Sequence, residues 1–407
     1  MCRALQQLCS GKHRLPPEFD LETLRLTAAV ACKRATEPAT PAPDTLRYDA
    51  VAALMDHQLP GSALPQPAVA AIALLRPLLH PRVANACDAT TLTKLLLIIK
   101  YNATPIAPAC IPSQGHIGIG IYPTIALVNH SCDPNCVLSL AATSTGLPHT
   151  LRAIRPLSSG EPLTYTYTDP FQSAASRRQL LREGFRFDCR CRRCLPPDNG
   201  QLPDTLERVH HQPCHAPLSY TSGGGYRCVS CGWTTTVSAV STFVGTLETT
   251  LRRDGRLGND GDGTLTLGPT HALRLDASVA ALAGESGDER VGLLADVVEC
   301  LETALPGPHA KTLSMRFLLA HALCRHITPD SARADHDRAR RALEILQQLQ
   351  TIAVGKDHEA VTATDAALRT LPTRVGGDGG DGDDQHETVA DRKDHKSPTS
   401  VDLEQLD

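Results

Sequence analysis

Three cysteines within six residues, Cys189, Cys191 and Cys194, restrict the fold of this chain more than any other feature of its sequence. Structural zinc takes four ligands in a tetrahedron, so three thiolates on one short segment leave a position that only a distant part of the chain can fill. If metal is bound there, the fold must carry a fourth ligand across, and Cys132 is the natural donor. Redox chemistry or incidental clustering is the competing reading of C-x-C-x2-C. The total of 15 cysteines is odd, and in a reducing compartment closely spaced cysteines more often ligate metal than pair with one another.

A second scarce residue type gathers at the same place. The 407 residues include only six Phe, seven Tyr and one Trp, yet Tyr165, Tyr167, Phe171, Phe185 and Phe187 all precede the cysteine motif within 25 residues. Charge offers no comparable pointer. With 40 basic and 44 acidic residues, the net charge of −4 argues for neither a polyanion nor a membrane surface as partner. The longest aliphatic run, Leu95 to Ile99, falls far short of the ~20 residues of a membrane span, and MCRALQQLCS lacks the apolar stretch of a signal peptide. The expectation is a soluble intracellular chain of two or three domains at roughly 100–200 residues each.

Periodicity divides the chain. Leu21, Leu24, Ala28 and Cys32 recur at helical spacing, as do Leu92, Leu95, Leu96 and Ile99 after Asp88, and Pro38, Pro41, Pro43, Pro60, Pro65 and Pro67 break the stretch between them. From about 115 to 168 the segments IGIGIY, CVLSL, HTLRAI and EPLTYTY read as short strands bounded by turn residues. Ser173 to Arg182 reads as a helix stopped by Gly184, 188–233 as irregular, and GRLGNDGDG (255–263) as a flexible linker or long loop. Three apolar stripes follow, on Val291, Leu294, Val298, Leu301 and Leu305, on Leu313, Phe317, Ala320 and Cys324, and on Ala339, Leu343, Leu346 and Leu349. They predict antiparallel helix pairs of repeat-array character. The Gly- and Asp-rich tail is expected to be disordered.

NHSCDPNC, from Asn129 to Cys136, is a poor helix or strand but a good structured turn, since its short polar side chains bond back to nearby backbone. Read alone it is a loop with a satisfied histidine. Together with GEPLTYTY (Gly160 to Tyr167), the Arg177-Arg178-Gln179-Leu180 helix and FRFDCRCRRC, it resembles the SET domain and its post-SET zinc site. KYNATPI (Lys100 to Ile106) and GIGIYPTIALVNHSC (Gly118 to Cys132) narrow the resemblance to the SMYD family of SET-domain lysine methyltransferases. It is dense from about 92 to 194 and looser in the C-terminal helices, where GPHAKTL is similar to the family's tetratricopeptide-like domain.

The resemblance implies an α+β fold: a SET-domain fold of short strands with a post-SET zinc site, then an α-helical repeat-like C-terminal domain. The expected divisions are 1–110 (helical, partial SET with inserted helices), 111–170 (SET core), 171–235 (post-SET cysteine-rich), 264–371 (TPR-like) and 375–407 (disordered acidic tail). It implies that Asn102, Asn129 and His130 hold S-adenosylmethionine, with Phe187 on its adenine. Tyr167 would point its hydroxyl at the methyl-transfer site, Phe185 would line the lysine channel, and Cys132, Cys189, Cys191 and Cys194 would form the zinc quartet. The chemistry is compatible: methyl transfer from a sulfonium to an amine is an in-line displacement that needs alignment, a neutral lysine and polarised oxygens. Aromatic walls lower the ammonium pKa by desolvation and hold cations on their faces.

The family's N-terminal glycine motif and MYND finger do not occur in these 407 residues, and LQQLCSGKHRLPPEFDLETLRL resembles the stretch after the MYND insertion. The expectation is an N-terminally truncated gene product, the other reading being a divergent paralogue with a weakened cofactor site. A second site, His211, Cys214, Cys228 and Cys231, has the H-x2-C…C-x2-C spacing of a small zinc ribbon; set against it, His210 and His211 are adjacent, and incidental histidines are the competing reading. Cys2, Cys9, Cys32, Cys87, Cys110, Cys300 and Cys324 read as small buried hydrophobes. The functional expectation is methylation of a lysine on a histone or non-histone protein by a monomer, cytoplasmic or nuclear, with a peptide partner on the C-terminal helices and no contact with nucleic acid or membrane. The alternative is a catalytically weak SET-like module that binds partners through those helices, with a zinc-ribbon nucleic-acid binder third.

Overall fold

The computed structural model describes residues 15–38, 47–59, 61–106, 118–140, 148–195, 200–258, 263–325 and 327–372. The expected acidic tail at 375–407 and the cysteines Cys2, Cys9 and Cys110 lie outside them. Among the described residues, no helix is long and apolar enough to cross a membrane.

Five helices come first: α1 (Leu21–Thr36), α2 (Tyr48–Ala52), α3 (Gln66–Leu75), α4 (Pro81–Ala86) and α5 (Ala89–Asn102). Their starts are written in side-chain chemistry, since carboxylates of Asp20 and Asp88 accept from the Thr23 and Thr91 amides, both at 2.7 Å. Leu24, Ala28, Ile72, Leu75, Leu92, Leu95, Leu96 and Ile99 close one apolar core between them. Cys32 lies only half-buried at its edge, whereas Cys87 is fully inside.

The strands are short and fall into separate pairs. β1 (Ala103–Ile106) runs antiparallel to β2 (Gly118–Ile121), with α6 (Pro123–Ala126) following. β3 (Asn129–His130) lies parallel to β6 (Thr164–Tyr165), and β4 (Cys136–Leu140) antiparallel to β5 (His149–Ala153). β1 was not among the expected strands; its partner β2 decides its conformation. Helix α7 (Ala174–Phe185) runs through Gly184, contrary to the expected stop there. The left-handed residue that ends it is Arg186 (φ 59°), anchored by its Nε donating to the Tyr101 hydroxyl at 3.3 Å.

The stretch 188–233, expected to be irregular, is largely sheet beyond its first cysteines. β7 (Val209–His211), β8 (Ala216–Tyr220), β9 (Gly225–Cys228), β10 (Thr234–Thr236) and β11 (Leu265–Leu267) form a five-stranded antiparallel sheet in the order β10-β9-β8-β7-β11. β11 follows α8 (Val237–Asp254) and pairs back with β7, so the expected linker ends inside this unit; residues 259–262 of it are outside the described set. Short hairpins satisfy backbone groups across strands that carry little apolar alternation, which is why periodicity did not reveal them.

The C-terminal region is helical: α9 (Ala272–Ala281), α10 (Gly287–Ala304), α11 (Ala310–Cys324), α12 (Arg333–Val354) and α13 (Glu359–Thr370), each packed on the next. α12 also lies on β4 and β5, where Val137 meets Leu313, Ala353, Val354 and Val361. Phe171, one of the crowded aromatics, departs from its neighbours and anchors this region by packing with Leu206, Leu275, Leu301 and Leu305.

His271 caps α9, its Nδ1 accepting from the Leu273 amide at 3.2 Å. Burial, aided by the Arg274 charge, lowers its pKa from 6.5 to about 4. The unfolded chain therefore binds one proton more than the folded chain between those values. The resulting stability is complete above the unfolded pKa and is lost as pH falls toward the folded one. We expect this group to steepen the loss of stability by up to about 1.4 kcal/mol per pH unit through that window. His271→Asn, which keeps a capping oxygen, should flatten urea-denaturation stability against pH by that amount; an unchanged slope would show that His271 does not carry it.

Candidate functional site

The site forms where β3, β6 and the segment after α7 meet. Parallel pairing sets Asn129 beside Thr164 and His130 beside Tyr165, and the Ser131 amide continues the ladder to the Tyr165 carbonyl at 3.1 Å. The turn beyond is pinned by Asn135, which is nearly inaccessible. Its amide donates to Glu161 Oε1 at 3.0 Å and the Pro162 carbonyl at 2.9 Å, while its oxygen accepts from the Thr164 amide at 2.8 Å. Asn135 was absent from the expected site set. As a buried amide it ties two loops that are 26 residues apart.

Cys132 leaves this turn pointing at the cysteines that follow α7. The sulfurs of Cys132, Cys189, Cys191 and Cys194 all lie within 4.8 Å of one another, with Cys132 to Cys194 at 3.5 Å and Cys132 to Cys189 at 4.0 Å. A tetrahedron with Zn–S bonds near 2.3 Å spaces its sulfurs about 3.8 Å apart, so the set fits zinc without rearrangement. Backbone amides support it: the Cys191 amide points at the Cys189 sulfur, and the Cys132 amide at the Cys191 sulfur.

Beneath the sulfurs lies buried positive charge. Arg177 is completely inaccessible, with Nη2 4.0 Å from Cys194 Sγ and 4.0 Å from Asp204 Oδ2, while Nη1 donates to the Gln172 carbonyl and Nε has no partner. Arg193 grips Asp204 through Nε at 2.5 Å and Nη2 at 3.2 Å and donates to the Cys132 carbonyl at 2.5 Å. Burial alone would push the Asp204 carboxyl up; the Arg193 hydrogen bond and charge outweigh it and hold it low. A zinc ion with four thiolates would carry net negative charge, and these guanidiniums are placed to balance it. Arg177 was read only as part of a motif. Its place four residues before the buried Leu181, on the apolar face of α7, is the signal that a charge was destined for the interior.

The aromatic rings stand on this cluster. Tyr167, Phe185, Phe187 and Cys191 pack against Cys132, Leu181, Cys189 and Cys194. The Tyr167 ring centroid is 4.9 Å from Phe185, 5.0 Å from Tyr165, 5.3 Å from His130 and 6.4 Å from Phe187. The Tyr167 hydroxyl donates to the Val128 carbonyl at 2.6 Å, and burial raises its pKa, so it stays a neutral phenol. His130 Nδ1 accepts from the Tyr167 amide at 3.0 Å; its proton is therefore on Nε2, facing Cys132 Sγ at 3.2 Å. Burial lowers its pKa to about 4, in keeping with a neutral ring. Asn129 is exposed beside it. Asn102, at the end of α5, donates both amide protons to backbone, at 2.8 Å to Met55 and 2.7 Å to Ile98, which leaves only its oxygen for a ligand.

The second expected cluster also assembles: one ligand atom each from His211, Cys214, Cys228 and Cys231 lies within 4.8 Å of the others.

Residues 24–168, which include the short paired strands and the Asn-His turn and end before the three clustered cysteines, match the SET domain family. The chain is similar to the histone-lysine N-methyltransferase SMYD3 of Homo sapiens, 41% identical over 90 residues, which is 22% of this chain and 20% of that protein. It is similar over a longer stretch to the N-lysine methyltransferase SMYD2-B of Xenopus laevis, 28% identical over 210 residues covering 51% of this chain and 45% of that one. Against the histone-lysine N-methyltransferase ASHR1 of Arabidopsis thaliana it is 27% identical over 204 residues, 47% and 38% of the two chains. The chain thus holds a match to the SET domain family and is similar to SMYD-type relatives, and its match spans about a fifth of the length of the SMYD3 relatives.

Proposed function

We propose that the protein transfers a methyl group from S-adenosylmethionine to a lysine side chain of a protein substrate, histone or non-histone. The observation that supports it most is the ring cluster of His130, Tyr165, Tyr167, Phe185 and Phe187 on the cysteine quartet, with a phenol and a backbone carbonyl hydrogen-bonded at its centre. Asn129, His130, Tyr167 and Phe187 would hold the cofactor, which supplies an electrophilic methyl on a sulfonium. Electron-rich ring faces receive a cation, and the Asn129 side chain is accessible beside them. In this reading Asn102 contributes at most its oxygen.

The residues have separate tasks. Tyr167 and Phe185 form an apolar wall that strips water from an incoming ammonium and so favours its neutral, nucleophilic form. The Tyr167 oxygen and the Val128 carbonyl concentrate negative charge where a methyl crosses between two heavy atoms. His130, held as one tautomer between the Tyr167 amide and Cys132, fixes the distance from the quartet to this wall. Zinc bound by Cys132, Cys189, Cys191 and Cys194 has a structural task, because four protein ligands leave no open position.

Tyr167→Phe is the direct test. It should lower turnover by about 10²–10³-fold while cofactor affinity changes little, since the hydroxyl acts on the transition state. Calorimetric titration of S-adenosylmethionine with radiolabelled methyl transfer separates the two. Full activity in the variant would remove Tyr167 from its role, and absence of cofactor binding by the unmutated protein would defeat the reading itself.

One observation favours the alternative of a partner-binding module. An open depression of about 380 Å³ between α10 and α11, lined by Ala295, Glu299, Glu302, Arg316 and Leu319, is where such a partner would be sought. Peptide binding with no cofactor binding would decide for it.

A further inference from the structure

We propose that His211, Cys214, Cys228 and Cys231 form a second zinc site, separate from the quartet under the aromatic wall and more labile, with Trp233 stacked on its histidine ligand. It is independent of the methyl-transfer reading. His211 Nδ1 lies 3.3 Å from Cys214 Sγ and 3.4 Å from Cys231 Sγ, and all four ligand atoms are mutually within 4.8 Å. For a tetrahedral ion with Zn–N near 2.05 Å and Zn–S near 2.3 Å, nitrogen and sulfur stand about 3.6 Å apart. The side chains are thus already at ligand spacing. Three thiols with one imidazole select zinc over the hard cations, which take oxygen.

The backbone is built for the ion as well. The two ligand pairs sit on two tight turns, one after β7 and one after β9, at the same end of the antiparallel sheet. In Cys228 to Gly232 the amides of Ser230 and Cys231 point at Cys228 Sγ, and the Gly232 amide returns to the Cys228 carbonyl at 3.0 Å with Gly232 at φ 77°. In His211 to His215 the matching left-handed position is taken by His215 at φ 49°, whose amide bonds the Gln212 carbonyl at 3.1 Å. A non-glycine residue in that conformation is strained and persists where its surroundings hold it. Amides directed at a sulfur stabilise a thiolate, the form that binds metal.

The proposed nitrogen ligand carries its own reporter. His211 stacks on Trp233 with ring centroids 4.6 Å apart and planes 9° from parallel, and the Trp233 carbonyl accepts from the Cys228 amide at 2.7 Å. Trp233 is the sole tryptophan of the sequence. Access sets the order of metal loss. Cys231 is exposed and Cys214 half-exposed, whereas three of the four quartet cysteines are buried.

The test uses the full chain purified with zinc. Elemental analysis should give two zinc ions per chain, and Cys231→Ser should give one. A chelator with a chromogenic zinc readout should draw out the metal in two phases, with the Trp233 fluorescence change confined to the faster. Should Cys231→Ser fail to fold, alkylation of the unmutated protein with iodoacetamide, mapped by mass spectrometry, replaces it. Cys214, Cys228 and Cys231 should be protected with zinc and modified without it. One zinc per chain in the unmutated protein, two zinc ions retained by Cys231→Ser, a Cys228–Cys231 disulfide, or a fluorescence change that follows the slower phase would each overturn the proposal.

Discussion

Replacing Cys132 with serine is expected to release one zinc equivalent and, with it, the aromatic wall. Cys132 is the one member of the quartet that comes from a different part of the chain, 57 residues before Cys189. It is fully buried, and its turn also carries Asn129 and His130. Zinc that joins two distant segments contributes its binding free energy to folding, of order 10–16 kcal/mol for structural sites in small peptides near neutral pH. A hydroxyl is a much weaker ligand than a thiolate, so most of that is forfeited. Elemental analysis should show zinc content reduced by one, and near-UV circular dichroism should show the tyrosines losing their fixed environment. Cofactor binding should fall with them, because His130 is held between Cys132 and Tyr167. Unchanged zinc content would refute the ligand assignment.

Arg177→Met should be strongly destabilising without removing any ligand. Methionine replaces the stem as far as Nε and tolerates an apolar site, so the variant loses the guanidinium's charge together with its packing. The guanidinium lies 4.0 Å from both Cys194 Sγ and Asp204 Oδ2, in a place water does not reach. Burial opposes its charge, but the Cys132 and Asp204 charges around it prevail and raise its pKa. Removing one partner of a buried charged cluster costs about 3–5 kcal/mol, since the remaining charges stay buried and uncompensated. Here that remainder would be the Asp204 carboxylate and, with zinc bound, a zinc–thiolate centre of negative charge. We expect the variant to unfold at lower urea and to surrender its zinc to a chelator several-fold faster. Arg177→Lys should recover part of the loss, having the charge without the planar fork. A decrease below about 1 kcal/mol would mean that Arg193 alone balances the site.

Both predictions depend on a neighbourhood only partly legible in the chain. The assembly of the four cysteines was legible, because three clustered thiols read as zinc ligands demand a fourth, and the structure brings the Cys132 sulfur to them. The helices at Leu21–Thr36 and Ala89–Asn102 were legible from apolar residues at helical spacing, although the second is buried on nearly every side, from Leu95 to Ile99. Phe171 shows the limit. It stands four residues from Tyr167 in sequence, yet belongs to a core with Leu275 and Leu301 more than 100 residues later. Crowding in sequence reported the neighbourhood of a site without saying which members enter it.

Sequence by itself determined which side chains are scarce and where they crowd: sulfur and aromatic rings between Tyr165 and Cys194, and a second sulfur and imidazole group from His211 to Cys231. Those are statements of composition and spacing, and ligand chemistry converts them directly into expectations. Tertiary structure alone decided the electrostatics beneath and the hydrogen bonds between. The pairing of Arg177 with Cys194, the Asn135 clasp on Glu161, the tautomer of His130 and the sheet through 209–236 all depend on backbone groups and distances between remote segments. Backbone amides and carbonyls are the same at every residue. No residue type announces which of them will meet, and only the closed fold brings them within bonding distance.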